Sequence, residues 1–313
     1  MFIKFLNIRS GVVQAIVISA FSLLFIIFLG FLFKRWGIFS KADGNMLSQI
    51  ILNLTLPAAI IVNLAQLTVT LNRISLIFIA VGFTLIQLIL FRFFKGRQSR
   101  DDLSFSLYMG SGFNIGNFTL PFAQSFMPQA IPLISLFDIG NSVMLAGGTG
   151  LVVEMLTGED YNFDLKLFFK RLGRSVPFVC YLVMLILRLV EVEIPSPFLT
   201  VASPIANANT FLSMFMIGLY LEFKLPEKAR LLVMKTLFLR YLIGLFLVIV
   251  IHFMPLDQLM KMVLSILAVT PIPIFNVINA VLTGSDEESV GFCSSLSFLI
   301  SLPLMTALIF AYR

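Results

Sequence analysis

The chain has 313 residues, 59 % of them hydrophobic and 12 % charged, with a formal charge of +6 and a mean hydropathy of +1.01. Soluble domains carry about a quarter charged residues, so this chain lacks the charge to cover a water-facing surface, and a soluble fold is excluded. Its basic residues fall in short clusters between apolar runs rather than along one stripe, which argues against a nucleic-acid partner.

The expected architecture is an all-α polytopic membrane protein. A span needs about 20 mostly apolar residues, and the apolar runs predict ten: 11–33, 46–66, 73–94, 103–125, 131–156, 175–190, 198–221, 231–253, 258–282 and 289–311. The first follows Lys4 and Arg9, is longer than a secretory core and has no A-x-A cleavage pattern, so it is read as a retained span. Loops after spans 1, 3, 5 and 7 hold fifteen Lys and Arg against six on the other side, with Arg240 left inside span 8. The positive-inside rule then puts both termini on the outer side of the cell membrane. Cys180 and Cys293 lie in apolar runs without paired spacing, and the single histidine, His252, has no cluster around it. Neither a metal nor a cofactor is expected.

Helix breakers concentrate in two spans. Span 4 carries Gly110, Gly112, Asn114, Gly116, Asn117, Thr119 and Pro121, and span 9 carries Thr270, Pro271, Pro273, Asn276 and Asn279. Proline removes a backbone donor and frees carbonyls upstream. In hydrocarbon such unwinding survives only inside protein or beside a water-filled cavity. One such helix would read as a kink. Spans 4 and 9, however, are five apart, and a division near residue 173 gives two five-span units, 1–173 and 174–313, the second entering from the opposite side. Matching interruptions in inverted halves point to a transporter's mid-membrane site. Half-helix N-termini there would favour an anionic substrate.

At these residues the chain resembles the auxin efflux carrier family, which includes the plant auxin exporters and bacterial organic-acid carriers. Span 2 carries Asn53, Pro57 and Asn63, similar to the family's proline-containing second helix. Asn114 stands seven residues before Pro121, as in the family's crossover segment, with Thr119 at its small-residue position. Phe137, Asp138 and Asn141 open span 5, and Pro271, Gly284, Asp286, Ser295 and Pro303 follow in spans 9 and 10. The resemblance implies inverted five-helix repeats with crossing helices 4 and 9, a scaffold set of helices, and elevator-like transport of organic anions. Its fold relatives include sodium-coupled bile acid symporters, so substrate and coupling stay open.

The residues expected to bind substrate are Asn114, Asn117, Thr119, Pro121, Pro271, Pro273, Asn276, Asn279 and, in span 2, Asn63; Asn53 and Gln66 are further polar residues of that span. Asp138, seven positions into span 5, is costly in a membrane unless paired, protonated or functional. With Asn141 it is the expected site for a coupling proton or sodium ion, the alternative being a bond to Asn141 or Ser142 that satisfies it structurally. Arg240 is read as snorkelling to the cytoplasmic headgroups rather than meeting a carboxylate. Glu154 and Glu222 sit beside basic loops, and Trp36 reads as an interfacial anchor.

The expected function is therefore a secondary transporter of small carboxylates, of the malate, malonate or auxin kind. A cation-coupled symporter of larger organic anions is one alternative and an organic-anion channel another. The expected partners are the bilayer and the anion, and a homodimer is compatible with the sequence. No G-x-S-x-G nucleophile elbow and no phosphate loop occur, so neither an enzyme nor direct use of ATP is expected.

Overall fold

A computed structural model describes residues 2–65, 67, 70–95, 99–158 and 164–312. Among these every regular element is a helix. The chain runs α1 (Phe2–Arg35), α2 (Lys41–Ile50), α3 (Leu56–Leu64), α4 (Leu71–Lys95), α5 (Arg100–Gly110), α6 (Leu120–Phe126), α7 (Ile131–Val143) and α8 (Thr149–Thr157). Then follow α9 (Leu165–Arg174), α10 (Val176–Leu189), α11 (Ser196–Tyr220), α12 (Arg230–Phe253), α13 (Gln258–Ala268), α14 (Ile274–Leu282) and α15 (Glu287–Ala311). Gln66 of the sequence reading lies outside the described residues.

Among the described residues, six helical stretches are long and apolar enough to cross a membrane: Val17–Arg35, Lys41–Leu64, Arg73–Phe94, Pro128–Thr157, Glu227–Phe253 and Glu287–Ala311. The pair α9–α10, bent by 81°, would add a seventh. The burial pattern agrees with a lipid solvent. Phe21, Phe25 and Phe28 face outward on α1, as do Phe78 and Phe93 on α4, while Gln87, Asn114, Asp138, Asn209, Arg240 and Asn276 are buried. Water would favour the reverse arrangement.

Two sequence devices shape the helices. Asn53-Leu54-Thr55-Leu56-Pro57 and Asn117-Phe118-Thr119-Leu120-Pro121 are two copies of one pattern. In each, a five-residue π-turn (Ile51–Thr55, Ile115–Thr119) ends just before the Leu-Pro pair that opens the next helix. The wider turn takes up the missing proline donor without ending the helix. Side-chain caps open several others: Ser40 and Asp43 form a capping box on α2, Asp257 caps α13, and Asp286 caps α15. Ser289 donates to the Asp286 carboxylate from its N–H at 2.8 Å and its hydroxyl at 2.6 Å, holding that carboxyl below its ordinary range.

Helix packing falls into two groups. In one, α1 lies along α11, and α11 against α2 and α3, with α10 on α3. In the other, α4 packs on α7, α5 on α12 and α14, and α13 and α14 on α15. The α1–α11 contact depends on glycine. A Cβ added at Gly218 would stand 2.1 Å from the Ile27 carbonyl oxygen and 2.8 Å from the Gly30 Cα, so the two backbones touch directly. Such close approach is how helices associate where no hydrophobic drive separates them from lipid.

Candidate functional site

Both interrupted helices are present. The first break, Ser111–Asn114, separates α5 from the turn leading into α6; the second, Val269–Pro273, separates α13 from α14. Pro121 therefore stands a full turn past its break, at the start of α6, whereas Pro271 and Pro273 lie within theirs. Gly112 takes φ +74° in the first break, and a Cβ there would meet Pro273 Cγ at 3.0 Å and Asn276 Nδ2 at 3.1 Å. A left-handed backbone and this crowding both call for glycine.

The breaks cross and hold one another. Asn114 donates its backbone N–H to the Pro271 carbonyl at 3.2 Å and its side-chain amide to the Ile272 carbonyl at 3.0 Å. In return the Asn276 amide donates to the carbonyls of Tyr108 at 2.9 Å and Ser111 at 2.8 Å. Gly112 N–H donates to Gln87 Oε1 at 2.9 Å, Ile272 N–H to Ser297 Oγ at 3.1 Å, and Asn141 Nδ2 to the Phe113 carbonyl at 3.0 Å. The backbone groups freed by unwinding are thus taken up by neighbouring helices, as hydrocarbon requires.

Arg240 corrects the snorkelling reading. It lies ten residues into α12, about 15 Å along the helix at 1.5 Å per residue, and is only 3 % exposed. Its guanidinium donates to the carbonyls of Met109, Ser111, Gly112, Thr270 and Pro271. A side chain already committed to the crossing does not extend to the headgroups.

Beside the crossing is a cavity of about 530 Å³, within the size range of small-molecule sites. One wall is the crossing itself: Phe113, Asn114, Gly116 and Asn117 of the first interrupted helix, Pro273, Ile274 and Asn279 of the second. Asp138, Asn141 and Ser142 of α7 form a second wall, and Gln49, Asn53 and Leu56 a third. Exposed Arg171 and Arg174 of α9, with Ser175 to Pro177, form the mouth. Of the eleven residues expected at the site, six share this cavity: Asn114, Asn117, Pro273, Asn279, Asp138 and Asn141. Thr119, Pro121, Pro271, Asn276 and Asn63 do not line it. The Thr119 hydroxyl donates to the Asn114 carbonyl at 2.8 Å, so it braces the break from behind.

Asp138 is 6 % exposed; Asn141 Nδ2 donates to it at 2.9 Å and the Tyr181 hydroxyl at 2.8 Å. The bond to Asn141 expected as a structural alternative is present, and Tyr181 of α10 adds a second donor that the sequence did not indicate. Among the described residues neither Lys nor Arg is paired with this carboxyl. Asn141 Oδ1 and Asn117 Oδ1 are buried without a protein partner, so both are open to a ligand. The charge count treats Arg171 and Arg174 only as topology determinants. The apolar repeat of α9, with Leu172 buried and charge on the other face, is the signal that places them beside the helix ends. The recurrence of Asn-x-Thr-Leu-Pro is the signal for Asn53.

Residues 15–159 match the family described as membrane transport protein. That stretch, a little under half of the chain, is similar to membrane transporters. The matched stretch lies within the first predicted repeat and holds the span 2, 4 and 5 motifs that resemble the auxin efflux carrier family, while those of spans 9 and 10 lie outside it. No curated protein matches the chain.

Proposed function

We propose that the chain crosses the membrane ten times, as inverted repeats 1–173 and 174–313, and carries small organic anions by an elevator movement. The observation that carries this reading is the cavity at the crossing, which lies where the two packing groups meet: Gln49, Asn53 and Leu56 belong to one group, and the crossing and Asp138 to the other. A boundary of that kind is where one group can slide past the other with its cargo. The anion would be met by the amide N–H groups of Asn114, Asn117 and Asn279 at the crossing and drawn in by Arg171 and Arg174 at the mouth. With the Lys and Arg bias setting orientation, that mouth faces the cytoplasm and both termini face outward.

Asp138 would be the coupling site. A carboxylate and an anionic substrate in one buried cavity repel strongly at low dielectric, so substrate entry favours the protonated form of Asp138. Proton-linked movement follows, with Tyr181 and Asn141 holding the carboxyl in place. The test is counterflow of labelled malate, malonate and indole-3-acetate in proteoliposomes, at two pH values. Saturable exchange of at least one acid supports the reading. Non-saturating current would indicate a channel, and an absence of movement for every acid in any gradient would overturn it.

A further inference from the structure

We propose that Arg240 is a resident cation of the crossing: its guanidinium fills a cage of backbone carbonyls that would otherwise take a free monovalent cation. The cage is built from both breaks. Arg240 Nη1 donates to Met109 O at 3.4 Å and Ser111 O at 3.2 Å, and Nη2 to Gly112 O at 2.8 Å, Thr270 O at 2.9 Å and Pro271 O at 3.1 Å. Unwound carbonyls and half-helix C-termini are the groups that coordinate coupling cations in transporters with broken helices. Here the same groups converge on a side chain.

The charges balance. The α5 and α13 ends at Gly110 and Ala268 each present a C-terminus to the crossing. A helix C-terminus carries roughly half a negative charge, so two facing ends call for about one positive charge. Arginine supplies it permanently, because a guanidinium does not deprotonate in proteins, and its rigid fork of donors can serve several acceptors at once. Among the described residues Arg240 is bonded to no carboxylate; its partners are the backbone. The consequence for transport rests on the reading proposed above: with the cage filled, anion movement does not require sodium at the crossing, and protonation remains the available coupling.

The test compares full-length wild type, Arg240→Ala and Arg240→Lys by thermal melting in choline chloride, sodium chloride and low-millimolar guanidinium chloride. Wild type should melt alike in choline and sodium. Arg240→Ala should melt several degrees lower in choline and recover part of the loss with guanidinium or sodium. An Arg240→Ala protein as stable as wild type, or one that neither cation restores, overturns the proposal. If Arg240→Ala does not accumulate in folded form, Arg240→Lys and Arg240→Met decide: folding of the lysine variant alone supports a charge requirement, and equal behaviour of the two overturns it. In proteoliposomes, wild-type counterflow should be unchanged when choline replaces sodium, and a requirement for sodium overturns the proposal. A wild type that moves no acid defeats the transport reading, while the melting comparison still decides the cage.

Discussion

Asn114 and Asn276 exchange roles across the crossing: each projects an amide from its own broken helix onto carbonyls of the other, at 3.0 Å for Asn114 and at 2.9 and 2.8 Å for Asn276. The reciprocity ties two segments more than 150 residues apart in the chain into one unit. It also separates two functions that the sequence presents alike, because only Asn114 faces the cavity.

Asn276→Ala removes one donor each from the Tyr108 and Ser111 carbonyls, the second of which keeps Arg240, and each lost hydrogen bond costs about 0.5–1.5 kcal/mol. Its expected effect is a lower melting temperature and a lower maximal rate, with the apparent affinity for anion little changed. Asn114→Ala should lower stability and also weaken apparent affinity. Melting curves and concentration-dependent counterflow of the two variants check the contrast; a shared affinity loss would count against it.

Asp138→Asn keeps shape and burial while removing the titrating group. Counterflow in wild type should rise from neutral to mildly acidic pH, because protonation removes the negative charge that opposes the anion, and the variant should lose that rise. Tyr181→Phe, which deletes the 2.8 Å bond to Asp138, should retain a pH dependence, since the titrating carboxyl itself remains. A pH profile of Asp138→Asn that overlays wild type would remove the coupling role.

Arg171→Gln and Arg174→Gln alter exposed charge at the mouth, so stability should change by less than about 0.5 kcal/mol. The expected loss is in apparent affinity for anions presented on the α9 side, larger for the double variant and smaller at high salt, where screening acts over only a few ångströms. Uptake measured at low and high ionic strength reads this out.

Gly218→Val would force a branched side chain between α11 and α1, where even a Cβ would overlap the Ile27 carbonyl. Overpacking of this kind typically costs 1–3 kcal/mol, occasionally more. Poor accumulation in the membrane or a markedly lowered melting temperature is expected, while Gly82→Ala, on α4 with open space around it, should behave as wild type.

Much of this organisation is legible in the chain because membrane solvation leaves few alternatives. Apolar runs mark the helices, and Gly, Asn and Pro mark the two places where a helix gives way, since a break is tolerated in hydrocarbon only with polar groups nearby to receive the backbone. The breaks at 111–114 and 269–273 fall inside the runs that predict them. Pro121 misleads by a turn, because the π-turn at Ile115–Thr119 absorbs its missing donor and moves the interruption upstream.

What the sequence by itself determined is the helical class, the membrane solvent, the two interruptions and Asp138 as a buried acid, all of which are local properties of composition and spacing. Only the tertiary structure decided that Arg240 faces inward onto five carbonyls, that Tyr181 is the partner of Asp138, and that Arg171 and Arg174 stand at the cavity mouth. Those assignments depend on which helix faces meet. Helix faces of similar apolarity pack by shape and by long-range hydrogen bonds, and neither is written in any one stretch of the chain.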